Sequence, residues 1–504
     1  MRARSPDNQM RSAFWLAIAI VAAVTLARCL VLVLSPLDLY PDEAQYWWWA
    51  QTPDFGYYSK PPMIAWVIRL STDLFGNAEW ALRLPSPLFH GATALLVFGI
   101  AGRAVSARLS LLSALSYLTL PGVSWSSGLI STDVPLLFFW ALALYAFLRV
   151  CEDKQWRWAV LCGVALGLGL ESKYAMLYFL LGALLAGVLA SCARPVVFGW
   201  RGLAILGLGT LLLAPNIAWN AMHGFPTFAH TAANADWARS RYSIASAAAF
   251  LLGQFGVFGP VLMAGLLGAL WRLARQASRR EPELILASFS LPALGLILIQ
   301  SFIAGANANW AATAFVAATP LALAELALWW SGRAIWVSFA VNGTVLLALW
   351  IFLVRPDIAE AVGAGNALKR EEGWHALGAA VAQAVEAAPY RAIAADNRSI
   401  VAELLYYARP RNVPVFVWMR DLNVRDHFEM TMRLPLHESR TLMVIEPPSV
   451  PRVLATFDSA RLVGTVAIPV GGAHIRAIDL FEASNYLGPS RANVGRPASP
   501  ASDL

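Results

Sequence analysis

Apolar residues fall in long, nearly unbroken runs over the first two-thirds of the chain. From Phe14 to Leu34 only Arg28 carries a charge, and a run of that length crosses the ~30 Å of bilayer hydrocarbon as a helix. The pattern predicts eleven spans, at about 13–35, 84–103, 108–121, 132–149, 157–171, 173–191, 202–218, 247–270, 284–304, 310–330 and 334–354. The third and fifth are short and need support from their neighbours. After Val354 the pattern changes. "RAIAADN", "VPVFVWM", "TLMVIEP", "VGTVAIPV" and "HIRAIDLF" alternate or bury as strands, with "SIVAELLYYA", "VRDHFEMTMRL" and "VPRVLATF" between them as helices. Residues 356–485 therefore read as a small α/β domain. Residues 486–504 form a tail rich in Pro, Ser and Ala that predicts disorder.

Composition strengthens the membrane reading. Of 504 residues, 58% are hydrophobic and 14% charged, where a soluble domain is roughly half apolar and about a quarter charged. Mean hydropathy is +0.56. The chain is expected to be a polytopic α-helical membrane protein. Arg28 and Cys29 stand where a small-residue cleavage site would lie, which argues against a cleaved signal peptide.

Charge adds the topology. The net charge of +7 is scattered over short loops, a poor match to nucleic acid. Arg2, Arg4, Arg11, Arg103, Arg108, Arg149, Lys154, Arg157, Arg194, Arg201, Arg272, Arg275, Arg279, Arg280 and Arg333 all fall on one side of the eleven-span arrangement, expected to be cytoplasmic. The longer loops, 35–83, 121–132 and 216–246, then face out, and the odd span count puts the α/β domain outside as well. Cys29, Cys151, Cys162 and Cys192 lie in or beside spans without metal spacing, and no two histidines are spaced as ligands. No metal and no cofactor is expected, and no GxGxxG or P-loop marks a nucleotide site.

The candidate chemistry gathers in the outer loops. "LYPDEAQYWWWAQTPDFGYYSKPPMIAW" follows the first span. Asp42 and Glu43 are neighbours, so their side chains diverge; one can reach a reacting group while the other holds structure. The simpler reading is a pair of solvated loop acids, although charges beside a membrane cavity tend to be functional. Trp47, Trp48 and Trp49 fit an interfacial aromatic belt. Tyr57 and Tyr58 offer flat faces and hydroxyls to a sugar, or sit at the same interface. Lys60, ahead of Pro61 and Pro62, rides a stiff extended arm, suited to a lipid phosphate or to snorkelling towards headgroups.

A third acid, Asp133, opens the fourth span in "STDVPLLFFW", as part of a site or as a first-turn acid favoured by the helix dipole. Lys173 needs an anionic partner at its depth, and Glu171 is the nearest in sequence. Arg83 opens the second span. Asn216, Asn220 and His223 cluster in "PNIAWNAMHGFPTF", and Asn309 and Trp310 in "NANWAATAF". Acids can take a proton from an acceptor hydroxyl, cations can hold a departing phosphate, and aromatic rings can line a sugar site. Together they suit transfer of a sugar from a lipid phosphate.

These stretches, with "GYYSKPPMIAWVIRL", "EWALRLPS" and "ESKYAMLY", resemble the bacterial GT-C glycosyltransferases of family 39, the protein O-mannosyltransferase-like group, related to the lipid A aminoarabinose and galacturonosyl transferases. The resemblance covers the first two-thirds of the chain and rests on the order and spacing of motifs that are each weak alone. It implies a GT-C fold of about 11 transmembrane helices with a C-terminal periplasmic α/β domain. Residues 1–355 would be the catalytic domain, with its first periplasmic loop at 36–83.

The implied reaction is inverting transfer from a polyprenyl-phosphate-linked sugar to an envelope glycolipid or glycan, ahead of a protein, on the periplasmic face of the bacterial inner membrane. By the resemblance Asp42, Glu43 and Asp133 are catalytic. Lys60, Arg83 and Lys173 meet the donor phosphate. Tyr57, Tyr58, Asn220, His223, Asn309 and Trp310 bind substrate. Asp42 and Asp133 both remain open as the base. Ser59 stands where some relatives carry an acid, which bears on sugar or acceptor choice. The competing classes are a transporter or lipid flippase, which would show repeats and broken helices, and a non-catalytic envelope scaffold.

Overall fold

The computed structural model describes residues 6–237, 240–275, 280–409, 413–472 and 474–489. Arg2, Arg4, Arg279 and residues 490–504 of the expected tail lie outside the described residues. The chain forms two compact units: Met1–Pro36 with Pro53–Arg355, and Leu37–Thr52 with Pro356–Leu504.

In the first unit α1 is Pro6–Leu34, and α3 (Met63–Phe75) to α7 (Pro121–Ser126) run through α4 (Glu79–Arg83), α5 (Pro85–Ala101) and α6 (Ala107–Thr119); α2 (Pro41–Gln51) belongs to the second unit. There follow α8 (Asp133–Asp153), α9 (Trp156–Ser172), α10 (Tyr178–Leu189), α11 (Arg194–Val197), α12 (Trp200–Met222) and α13 (Pro226–Ala235). The last are α14 (Ile244–Phe258), α15 (Pro260–Arg275), α16 (Glu281–Ala304), α17 (Ala314–Leu326) and α18 (Arg333–Val354).

Six described helices, or seven if a bent pair is one span, are long and apolar enough to cross a membrane. The others expected from the hydropathy are shorter: α6 has 13 residues, α9 has 17, α10 has 12 and α17 has 13. α6 turns Ser110, Ser113 and Ser116 inward, where each is buried; Ser110 and Ser113 donate to backbone carbonyls one turn back.

The span expected over 247–270 is broken. α14 and α15 meet at 111°. Gly259 adopts φ +94, and Pro260 brings no N–H to continue the helix. Asn342 Nδ2 donates to the Phe258 carbonyl at 3.5 Å beside the break, since backbone freed at membrane depth needs a partner. Elsewhere the bundle is tied by aromatic packing, with Phe179 and Phe289 ring centroids 4.6 Å apart. Arg272 joins α15 to α16 and α17 by bonding Glu283 at 3.2 Å and Glu325 at 2.7 Å. Arg28, 2% exposed, donates to the Leu118 carbonyl.

The second unit contains α2 (Pro41–Gln51), α19 (Pro356–Ala361), α20 (Trp374–Ala387), α21 (Arg398–Glu403), α22 (His427–Thr431) and α23 (Val450–Leu454). Its strands are β1 (Ala392–Ala395), β2 (Val415–Val417), β3 (Thr441–Ile445), β4 (Phe457–Val470) and β5 (His474–Tyr486), in the order β2-β1-β3-β5-β4. β1 pairs parallel with β2 and β3, Ala394 standing between Phe416 and Met443, while β5 runs antiparallel to β3 and β4. Central β1 and β3 are buried at every position and, apart from Thr441, apolar, as suits strands covered on both faces.

Helix α2 packs on this unit rather than forming an aromatic belt. Trp49 is 1% and Trp47 7% exposed. Trp47 meets Tyr406 edge-on at 5.0 Å, Arg409 lies 5.4 Å from the Trp47 ring centroid, and Trp49 meets His427 at 5.4 Å. A tryptophan buried by protein partners no longer serves a lipid interface, so the belt expectation fails for these two.

Candidate active site

Segment 37–52 is fastened at almost every turn. Asp38 Oδ2 accepts from the Trp374 and His375 amides at 2.7 and 3.2 Å, capping α20. The Leu39 amide donates to the Tyr407 hydroxyl at 2.7 Å, and Arg370 Nη1 to the Tyr40 hydroxyl at 3.0 Å. These bonds present the start of α2. Pro41 fits its first turn, where no N–H is needed.

The two acids of α2 part ways. Glu43 is fully buried, and its Oε2 accepts from the Tyr40 amide at 2.9 Å, closing the helix start. The Asp42 side chain is 31% exposed, and Arg398 Nη1 lies 2.7 Å from its Oδ1. Arg398 follows directly on β1 through Asp396 and Asn397. Burial pushes Asp396 up to about 6. Sequence reasoning missed Arg398. The signal was its place just past the carboxyl end of a parallel strand, where ligands gather in open α/β sheets.

In the first unit the second acid has its own cluster. Asp133 Oδ1 lies 2.7 Å from Lys173 Nζ, and Asn309 Nδ2 donates to Oδ2 at 2.9 Å. Three elements thus converge: the first turn of α8, the extended residue after α9, and the 3-10 turn Ala308–Ala311. Lys173 has the anionic partner its depth requires, but it is not Glu171, the nearest acid in sequence. Glu171 is 2% exposed and neither carboxylate oxygen has a hydrogen-bond partner. The helical path of α9 ends at Ser172, and Lys173 at φ −165 swings away from its neighbour. Trp310 packs in a small cluster with Phe250 and Ile297.

The rest of the first outer loop is pinned to α12 and α13. Asn216 Nδ2 donates to the Phe55 carbonyl at 2.7 Å, and Asn216 Oδ1 accepts from the Tyr174 hydroxyl at 2.6 Å. Asn220 Oδ1 accepts from the Thr227 amide at 3.2 Å, and Thr227 Oγ1 donates to the Tyr57 carbonyl at 2.7 Å. Trp219 Nε1 donates to Asp54 Oδ2 at 2.7 Å, so Asp54 is a further acid the sequence reading passed over. Gly56 allows this approach, because a Cβ there would overlap the Trp219 ring.

Asn220 is fully buried and Tyr57 is 2% exposed, with its hydroxyl accepting from the Asp54 amide at 3.0 Å. Burial raises the Tyr57 hydroxyl above the usual tyrosine range. Tyr58 is half-buried and meets His230 edge-on at 5.6 Å. His223 is exposed and stacks on Trp219 at 4.2 Å. Lys60 is half-buried, its carbonyl accepting from the Tyr57 amide at 3.1 Å. Arg83, in α4, is 3% exposed. The structure therefore joins Asp133, Lys173 and Asn309 directly, and links Asn220 to Tyr57 through Thr227. Asp42 and Glu43 share α2 in the other unit.

Residues 59–219 match the family described as dolichyl-phosphate-mannose-protein mannosyltransferase. The chain is 36% identical over 418 residues to the lipid A galacturonosyltransferase RgtD of Rhizobium johnstonii, covering 82% of this chain and 87% of that protein. It is 30% identical over 176 residues to the undecaprenyl phosphate-alpha-4-amino-4-deoxy-L-arabinose arabinosyl transferase of Pseudomonas savastanoi, covering 30% of this chain and 32% of that one. The fold matches ArnT from Cupriavidus metallidurans, solved with undecaprenyl phosphate, at TM-score 0.63 and 18% identity, over 92% of this chain and 97% of that one. With a relative aligned over most of both sequences, this multi-pass membrane protein belongs to the bacterial GT-C glycosyltransferases of the protein O-mannosyltransferase-like group.

Proposed function

We propose that this glycosyltransferase moves galacturonic acid from an undecaprenyl-phosphate donor to lipid A at the periplasmic face of the inner membrane. The observation that carries this reading is the 36% identity with a lipid A galacturonosyltransferase across 82% of the chain. Eleven spans, with the shorter helices supported by their neighbours, would put both the first outer loop and the α/β domain outside. The arginine distribution supports that orientation.

In this reading the acceptor hydroxyl oxygen attacks the anomeric carbon from the face opposite the phosphate. The bond from that carbon to the phosphate oxygen breaks, its electron pair leaves on the phosphate, and the configuration inverts. Asp42 takes the hydroxyl proton. Glu43 holds the start of α2 that presents it. Lys60, on its proline-stiffened arm, neutralises the leaving phosphate together with Arg83 and Lys173. Asp133 and Asn309 set the position of Lys173. Tyr57 and Asn220 hold the loop that carries Tyr58 and Lys60, while Tyr58, His223 and Trp310 border the sugar.

Mass spectrometry of lipid A from cells with and without the gene tests the function. Loss of a uronic acid residue on deletion, restored by the wild-type gene and not by Asp42→Asn, is the expected result. Unchanged lipid A with altered lipid distribution between leaflets would point instead to a flippase.

A further inference from the structure

We infer that Arg398 is a positioning residue for Asp42, its partner within the same compact unit. The inference rests on the reading of Asp42 as base. Arg398 Nη1 reaches two residues one turn apart on the same face of α2, Asp42 Oδ1 at 2.7 Å and Gln45 Oε1 at 3.3 Å. That grip fixes the carboxylate by its bond and the guanidinium by a second anchor. The planar guanidinium holds such geometry better than an ammonium can.

The mount beneath Arg398 is rigid. It is the first residue of α21, directly after central strand β1. Asn397 caps that helix, its Oδ1 accepting from the Ser399 and Ile400 amides, both at 3.1 Å. Two other arginines also face this segment: Arg370 bonds the Tyr40 hydroxyl and Arg409 packs over the Trp47 ring. Arg398 meets the acid.

The pair has little value as glue. Both side chains are 31% exposed, and ion pairs that wet contribute little to stability. The burial of Trp47 and Trp49 secures α2 instead. A carboxylate that must receive a proton from a bound hydroxyl needs a fixed approach, and a small misplacement of a reacting group costs up to about 10²-fold in rate.

The test uses the purified full-length protein as wild type, Arg398→Ala, Arg398→Lys, Asp42→Asn, and Asp42→Asn with Arg398→Ala, assayed with a polyprenyl-phosphate sugar and lipid A. Arg398→Ala is expected to melt near wild type and to lose kcat by about 10²-fold, with donor KM little changed. Arg398→Lys is expected to recover part of the rate, and so is guanidinium ion added to Arg398→Ala. In the Asp42→Asn background, removing Arg398 should cost nothing further.

Normal kcat in Arg398→Ala overturns the inference, and so does an equal loss in both backgrounds. If Arg398→Ala fails to fold, a wild-type rate in Arg398→Lys without the grip on Gln45 would equally overturn it. Full activity of Asp42→Asn would sink the base assignment itself, whereas an inactive Asp42→Asn beside a normal Arg398→Ala sinks the Arg398 role alone.

Discussion

Lys173 Nζ lies 2.7 Å from Asp133 Oδ1, while Glu171, two residues earlier, is buried without a hydrogen-bond partner. The side chains of the bonded pair are 23% and 14% exposed, so neither charge is well served by water once its partner is gone. Losing a hydrogen-bonded partner of a buried polar group costs about 1–3 kcal/mol. Lys173→Met and Asp133→Asn should therefore each lower the melting temperature, and the double variant should lose less than the sum. A double-mutant cycle by thermal melting with zero coupling would mean that the pair does not form.

Lys60→Ala should weaken donor use more than acceptor use, because the lost charge is the one proposed to face the lipid phosphate. Lys60→Arg keeps the charge with a different shape and should be partly active. Donor and acceptor titrations of both variants separate the two effects. An unchanged donor KM and kcat in Lys60→Ala would remove Lys60 from the site.

Trp49 is 1% exposed and packs against His427 in the second unit. Trp49→Ala should destabilise that unit by about 3–5 kcal/mol, the range for truncating a buried large aromatic. Limited proteolysis should then cut within 356–485 at lower temperature than in wild type. Resistance equal to wild type would show that α2 is dispensable to the unit's stability.

Two acids of the α/β domain give it a pH dependence. Burial pushes Asp396 up to about 6, and burial with the neighbouring Asp426 charge pushes Glu429 up to about 7. Each folded-state value lies above the unfolded one, so the folded state binds more protons between them. The stability these groups contribute is present in full below about pH 4 and is lost as pH rises through about 6 and 7. Asp396→Asn and Glu429→Gln should flatten the fall in melting temperature between about pH 5 and 8. Melting curves that stay parallel to wild type across that range would contradict the account.

Much of this architecture is legible in the sequence, because hydropathy and alternation are local properties. β1, β3 and β5 form where the apolar stretches put them. β4 begins at Phe457, earlier than its alternating part suggests, because its pairing with β5 continues through Ser459–Arg461. The break at Gly259–Pro260 was written in the residues but hidden by an unbroken apolar run. Contacts between distant segments were not legible. Arg398 lies 356 positions from Asp42, and no periodicity links them. The pairing of Lys173 with Asp133 rather than Glu171 depends on where α9 stops. Asp42 and Asp133 were visible as acids in outer loops, but their different surroundings came only with the fold.

Asp42 is proposed to receive the acceptor's proton, and turnover of purified Asp42→Asn, Glu43→Gln and Asp133→Asn at saturating donor separates it from Asp133 as the base. Asparagine keeps the size and most of the hydrogen bonding of aspartate but cannot take the proton, and a well-placed base contributes typically ~10²–10⁴-fold. Asp42→Asn should bind both substrates, melt near wild type and turn over slower by that order, with Glu43→Gln milder. Near-normal turnover in Asp42→Asn together with loss in Asp133→Asn would contradict it and assign the base to Asp133.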